Sequence, residues 1–437
     1  MATDEASALC WCTVFLFLCH SRWRRCVGGT MLAARGKHHA CVVSMELGEC
    51  SMSRAILRGG NPMKRLLVLV LAVAMMASAT LSAAPAKIEA ELSLITPVAS
   101  FVSVAALDAF KVWAKAKYGI DVKTNYTAKG TQLAVGLIRE WGANPQADVI
   151  WGGETVLYDM LAADGFLVKH EAPKALLDRI PATMGTPNPM PLKDPRGFWT
   201  GTALEPYGIV YNEGLVARRL RTAAPKTWED MLGNPKFKGQ IAQCTPDNSS
   251  SNHATYEVIL QKYGWDKGWE WLSKLGAYTG QFVAKSGDVP GVVAKGEYAL
   301  GFAVPSYMAF ENYLNGADIR FFAPPGAYVT PEPIGIIKNC KNPNAAKAFI
   351  EFLLTDEGQR LFIDRGLFPV VPDMRVEGAP GSTAELAVTF YGGRRSYFEG
   401  AVENTYDNAL SKSRESEVNK YFRENIFAKL DALKAKY

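Results

Sequence analysis

The densest run of hydroxyl side chains in the 437-residue chain is Asp247-Asn248-Ser249-Ser250-Ser251, and a helical pattern from Asn252 to Tyr263 follows it at once. Hydroxyls beside the free N–H groups of a helix N-terminus make a cradle for a phosphate or carboxylate, helped by the positive end of the helix dipole. One N-cap residue would be enough to stabilise the helix, by about 1 kcal/mol. Three consecutive serines exceed that need, so Asn248, Ser249, Ser250 and Ser251 are assigned to ligand binding. Three more segments lie between the end of a strand pattern and the start of a helix, where open α/β sheets bind ligands. They are Thr96 to Ser100, Lys129-Gly130-Thr131-Gln132 and Trp151-Gly152-Gly153. Ser100, Thr131 and Gln132 supply polar groups at helix starts. Gly152 and Gly153 allow a ligand close to the backbone, with Trp151 as an apolar wall. Tyr307, at the head of a helix, has a phenol to donate.

Catalytic chemistry finds little support in the pattern. His170 and His253 stand alone, without a carboxylate or second histidine at metal-ligand spacing. No Gly-x-Ser-x-Gly elbow, Walker loop or dinucleotide fingerprint occurs. No catalytic residue and no cofactor is expected. A serine nucleophile within 249–251 is the rival from the enzyme class, but no general base stands at a fixed spacing from it. Trp265, Trp269 and Trp271 recur at helical spacing, which reads as packing rather than a stacking platform.

The elements that must hold these residues follow a β-α-β-α-β-α rhythm. Strand patterns at Leu92 to Ile95, Ile120 to Tyr126 and Asp148 to Trp151 alternate with helical ones at Ser100 to Tyr118, Thr131 to Trp141 and Glu154 to Asp164. Short connections between them argue a parallel sheet wrapped by helices. A strand at Ile209 to Tyr211 leads into a second lobe, with strands at Gln240 to Gln243 and Tyr298 to Ala303 and helices at Trp265 to Leu275 and Val289 to Lys295. Ile334 to Lys338 is a late strand, Pro343 to Leu354 a helix, and one long helix runs from about Glu415 through Leu433. The expected division is 87–207 mainly lobe 1, 208–332 mainly lobe 2 with possible return crossings, and 333–437 a return strand and C-terminal helices.

Six of the eight cysteines and nine of the 48 lysines and arginines lie before Lys87; the remaining 351 residues carry 39 charges of each sign. A neutral body gives no electrostatic reason to expect nucleic acid. Met63-Lys64-Arg65, the apolar run Leu66 to Met76 and the Ala-x-Ala steps at Ala77 and Ala84 have the order of a cleavable export signal. Residues 63–86 are therefore expected to be a signal peptide, and 1–62 an untranslated or non-structured extension. Cys244 and Cys340 are the two cysteines that follow; a disulfide and two separate thiols are equally compatible with their spacing.

Longer stretches carry a resemblance. TAKGTQLAVGLIREWGANPQADVIWGG (127–153), GIVYN (208–212), GEYALGFAVPSYMAFENYL (296–314) and above all PIGIIKNCKNPNAAKAFIEFLLTDEGQRLF (333–362) resemble the periplasmic binding proteins of ABC importers. The group most similar is that named after ferric-iron-binding proteins, within extracellular solute-binding proteins of family 1. The resemblance implies a two-lobed type II periplasmic binding protein fold, each lobe a sheet flanked by helices, joined by hinge strands. It also implies a monomer that hands its ligand to an inner-membrane permease with ATPase subunits. Iron-binding members carry two adjacent tyrosines near the place of Pro305 and Ser306 here, a histidine near Ala99 and a glutamate near Gly153. Those oxygens suit hard Fe³⁺; glycine and serine suit a phosphorylated or carboxylated organic anion. Ferric iron on Tyr307 and Glu154 is the alternative ligand.

Overall fold

The computed structural model describes residues 87–400 and 402–437; the extension and the signal segment expected before Lys87 lie outside them. The chain opens on β1 (Glu91–Thr96), α1 (Ser100–Tyr118), β2 (Lys123–Ala128), α2 (Thr131–Trp141), β3 (Val149–Trp151), α3 (Thr155–Ala163) and β4 (Leu167–Val168). In α1 Val102, Ala106, Leu107, Phe110 and Ala114 are buried at helical spacing, and Gly119 ends the helix at φ 70°. β1 pairs in parallel with both β2 and β3, as strands joined through helices must.

After β5 (Thr200–Gly201) comes β6 (Ala203–Asn212), three times longer than the expected Ile209–Tyr211. Pro206 argues against a central strand, but β6 changes partners around it. Glu205 and Pro206 face β11 (Val329–Thr330), whereas the 207–212 part pairs with β9 (Leu300–Pro305) and β10 (Ile319–Phe322). A second sheet grows from β6, in the order β8 (Thr279–Val283), β7 (Ile241–Cys244), β9, β6, β10. Its helices include α4 (Ser250–Tyr263), α5 (Trp265–Tyr278) and α6 (Ser306–Leu314).

The chain then returns. β12 (Pro333–Ile337) inserts antiparallel between β3 and β4, giving the first sheet the order β2-β1-β3-β12-β4. α7 (Pro343–Leu354) covers that sheet, with Phe349 edge-on to Phe110 at 5.2 Å. Burying each such ring is worth about 1.5–3 kcal/mol. β6 and the segment before β12 thus join two α/β lobes, each a sheet flanked by helices.

The expected long C-terminal helix is broken. α8 (Asn408–Ser413) and α9 (Glu415–Asn425) are followed by a short 3₁₀ turn and α10 (Leu430–Lys436). Val418, Phe422 and Ile426 are buried in the second lobe's core. The bend after Ile426 lets Leu430 and Leu433 also reach α5, where Gly276 leaves room for Ile426. Trp269 stacks on Tyr421 at 4.1 Å, the packing role expected for that tryptophan series. Cys244 and Cys340 are both free. Cys244 is buried in β7 and donates to the Ala284 carbonyl at 3.6 Å, while Cys340 follows β12 in the other sheet. Burial pushes each thiol up to about 11. No helix of the described residues is long and apolar enough to cross a membrane.

Candidate functional site

Four helices of both lobes begin at the wall of one cavity of about 570 Å³: α2 and α3 from the first, α4 and α6 from the second. α2, α3 and α6 have no side-chain cap. Their first N–H groups have no intrahelical acceptor, so they offer donors and positive dipole ends to the cavity. Lys285 and Lys412 add cationic groups to the lining.

The serine run lies on this wall, but its members divide the work. Ser249 is the N-cap of α4, accepting from the Asn252 N–H at 3.3 Å, and its Oγ lies 3.0 Å from that of Ser251. Ser251 donates to the Ala303 carbonyl at 3.0 Å. The hydroxyl of Ser250 and the first N–H groups of α4 are what the run presents to a ligand. Asn248, Thr131 and Gln132 line the same cavity.

Gly153 also lines the cavity, at φ 95°, and a Cβ there would collide with the Thr131 side chain. Gly152, at φ 92°, lies behind the wall: a Cβ would sit 2.8 Å from Glu332 Oε2 and collide with Val98. Its role is to leave room for that carboxyl. Trp151 is no wall of the cavity. It is 1 % exposed, donates to Thr202 Oγ1 at 3.0 Å and packs edge-on to Phe349, because the third residue of a buried strand points into the sheet's helical cover. Ser100 is exposed at the head of α1 and does not line the cavity.

Tyr307 does reach the cavity, and its hydroxyl accepts from the Ala99 N–H of the other lobe at 3.3 Å. Burial, reinforced by Glu205 and Glu332, holds its phenol protonated well above the ordinary range. Glu154, the N-cap residue of α3, also lines the cavity. Burial pushes its carboxyl up to about 8, Glu415 adds to the rise and Lys412 opposes it. Among the described residues no group of three or more His, Cys, Asp or Glu is arranged to hold a metal ion.

Several lining residues escaped sequence reasoning. Glu205 and Glu332 come from the two crossings between the lobes; burial raises both carboxyls, and the neighbouring Glu332 raises Glu205 further, whereas contact with Glu205 works against the rise at Glu332. The signal was there: a glutamate inside the apolar run ALEPYGIVYN is a charge where a buried strand wants none. His253 stands isolated in the sequence. It lies on α4 with Nδ1 3.4 Å from Asn419 Oδ1 and Nε2 3.5 Å from Ser411 Oγ, and burial lowers its pKa. The ring thus turns toward the C-terminal helices rather than toward a serine of the run. Ser411, Lys412, Glu415 and Asn419 all line the cavity, and local periodicity had no means of bringing that segment back across 250 residues.

Residues 144–385 match the family described as bacterial extracellular solute-binding protein. The chain belongs to that family. The phosphoglycerate transport regulatory protein PgtC of Salmonella typhimurium is 33% identical over 201 residues, 45% of this chain and 49% of that one. The chain therefore spans about half the length of PgtC. The major ferric iron-binding protein of Neisseria meningitidis is 27% identical over 270 residues, 58% of this chain and 74% of its own. Two solved structures share the fold. The periplasmic binding protein AfuA of Actinobacillus pleuropneumoniae, with fructose-6-phosphate bound, has a TM-score of 0.58 at 22% identity, covering 76% of this chain and 98% of its own. Iron-bound HitA of Pseudomonas aeruginosa has a TM-score of 0.56 at 21% identity, covering 76% and 99%. The solute-binding chain thus has the type II periplasmic binding protein fold.

Proposed function

We propose that this solute-binding protein is the periplasmic component of an ABC importer, exported by the signal segment at 63–86. It captures a small phosphorylated organic anion between its lobes and delivers it to an inner-membrane permease and that permease's ATPase subunits. The observation that carries this reading is the convergence of four helix N-termini, the Ser250 hydroxyl, Lys285 and Lys412 on one cavity. These groups suit an anion; of the acidic side chains on the same wall, burial raises Glu154, Glu205 and Glu332 toward the neutral form, and Asp247 and Glu415 are paired with Arg423 and Lys412. The phosphate-related names of PgtC and of the AfuA complex point the same way. Ligand bridging the two lobes would favour their closed arrangement, as in hinge-bending binders.

A thermal-shift comparison of phosphate esters, dicarboxylates and ferric citrate tests the reading. A ligand at about a hundred times its dissociation constant stabilises the protein by roughly 2.7 kcal/mol. Stabilisation by phosphate esters is the expected result; stabilisation by ferric iron alone would contradict it. Iron is the second reading because Glu154, Tyr207 and Tyr307 share the cavity. Against it, Pro305 and Ser306 stand near the place where iron-binding members carry two adjacent tyrosines.

A further inference from the structure

A second cavity, of about 350 Å³, lies against the outer edge of the second lobe's sheet and shares no lining residue with the first. Its size falls in the range of about 300–1,000 Å³ usual for binding pockets. One wall is Phe321, Phe322 and Ala323, at the end of β10; the other is the loop 391–399, which carries Arg394 and Arg395. β10 is the last strand of its sheet and pairs on one side only, with β6. The Asn212 N–H is spent on the Ala299 carbonyl, on the side of β6 away from β10. Alternation along β6 therefore turns Tyr211 and Ile209 toward their partners Arg320 and Phe322. The N–H and C=O of Phe321 face outward, and neither bonds to a described residue beyond the ladder. Its ring packs inward on Phe390 and Tyr391, with centroids at 6.1 and 5.7 Å, which leaves the strand edge to the cavity.

The opposite wall is cationic. Among the described residues neither Arg394 nor Arg395 has a carboxylate partner; their guanidinium groups bond to the carbonyls of Ser396 and Val376. Glu399, the acid on this wall, is taken by Arg375 through two contacts, at 2.7 and 3.2 Å. Arg394 lies over the Tyr397 ring at 4.6 Å. Arg395 donates to the Val376 carbonyl at 3.0 Å, while its own carbonyl accepts from the Val376 N–H at 2.8 Å. These contacts fix the loop and leave both positive charges unneutralised. An unpaired strand edge is a template for another strand, and two cations beside it select the charge which that strand must carry.

We propose that this second cavity docks an acidic, extended peptide segment of a partner protein, which pairs with the edge of β10. One residue of the segment exchanges two hydrogen bonds with Phe321, and its neighbouring carboxylates reach Arg394 and Arg395. The chain's own N-terminal stretch has the wrong charge for this role, since residues 1–86 hold nine lysines and arginines against four acids. Nothing in this depends on the ligand of the first cavity, with which the second shares no residue.

Fluorescence anisotropy of the purified protein with a labelled hexapeptide alternating valine and glutamate tests this. Binding is expected, with a loss of at least about tenfold when glutamines replace the glutamates. Arg394→Glu, which sets a like charge against the segment, should cause a similar loss. Arg394 is exposed, so the variant should keep the wild-type urea denaturation midpoint. N-methylation of the peptide's backbone amides leaves its charge intact and should abolish binding, because strand pairing needs the main chain. Failure of the wild type to bind the acidic peptide, equal binding of the N-methylated peptide, or unchanged affinity in Arg394→Glu overturns the docking site. Glutarate binding as tightly as the peptide would assign the cavity to a small dicarboxylate, and wild-type dimers dissolved by Arg394→Glu would assign it to a second copy of this chain; either result overturns the proposal.

Discussion

Gln132 Nε2 donates to Glu415 Oε1 at 3.1 Å, joining residues 283 apart in sequence. The bond ties the start of α2, in the first lobe, to α9 in the C-terminal segment. α9 itself is anchored in the second lobe through Val418 and Phe422. Asn408 reaches Thr155 of α3 at 3.5 Å in the same manner. The cavity is therefore completed by a segment lying beyond residues 144–385, the part that matches the family.

Lys412 stands in that segment, 3.3 Å from Glu415 and on the cavity wall. Lys412→Ala is expected to weaken binding of a phosphate ester about tenfold through loss of a charge-assisted contact. Calorimetry at low and high salt measures it, and the wild-type advantage should shrink as salt screens the charge.

Ser249 and Ser250, adjacent in sequence, should fail differently. Ser249→Ala removes the cap of α4 and should cost about 1 kcal/mol of stability, read by urea denaturation. Ser250→Ala removes a hydroxyl that faces the cavity, and should weaken phosphate-ester binding about three- to tenfold with an unchanged denaturation midpoint.

Arg414 pairs with Glu257, a carboxylate with no exposed surface, at 2.6 Å. Arg414→Met leaves that carboxylate buried and unpaired, which costs about 3–5 kcal/mol. Denaturation midpoints will show it. Because the pair anchors the C-terminal segment, binding should weaken as well.

Glu154 makes both stability and binding pH-dependent. Its folded-state carboxyl is raised from 4.5 to about 8, so the folded protein holds a proton that the unfolded chain has released. Its contribution to stability therefore falls as pH climbs from 4.5 to about 8, and stays low above that. Glu205 and Glu332 are raised as well and act in the same direction. Above pH 7 a phosphate monoester is already dianionic, its second ionisation lying near about 6. Affinity should thus drop as Glu154 ionises between pH 7 and 9, and Glu154→Gln should flatten much of that drop in titrations across the range.

The alternation of strands and helices was readable because each element buries one face. The spacing of Val102, Phe110 and Ala114 predicts α1, and the apolar triplet at 149–151 predicts β3. The export segment and the preceding cysteines are sequence readings alone. Thr131, Gln132, Gly153 and Tyr307 were legible as residues at strand–helix junctions, and the structure brings them to one cavity. Trp151 was misjudged because strand position does not reveal which face of a short strand is covered. Glu205, Glu332 and Lys412 were missed for a different reason. They enter the cavity through the two lobe crossings and the returning C-terminal segment, placements set by long-range topology.

The most direct measurement is a crystal structure of the protein with a phosphate ester bound. The account predicts the phosphate at the N-termini of α2 and α4, within hydrogen-bond distance of Ser250 and Thr131. A phosphate seated elsewhere, or a metal ion on Glu154 and Tyr307 in its place, would contradict the account.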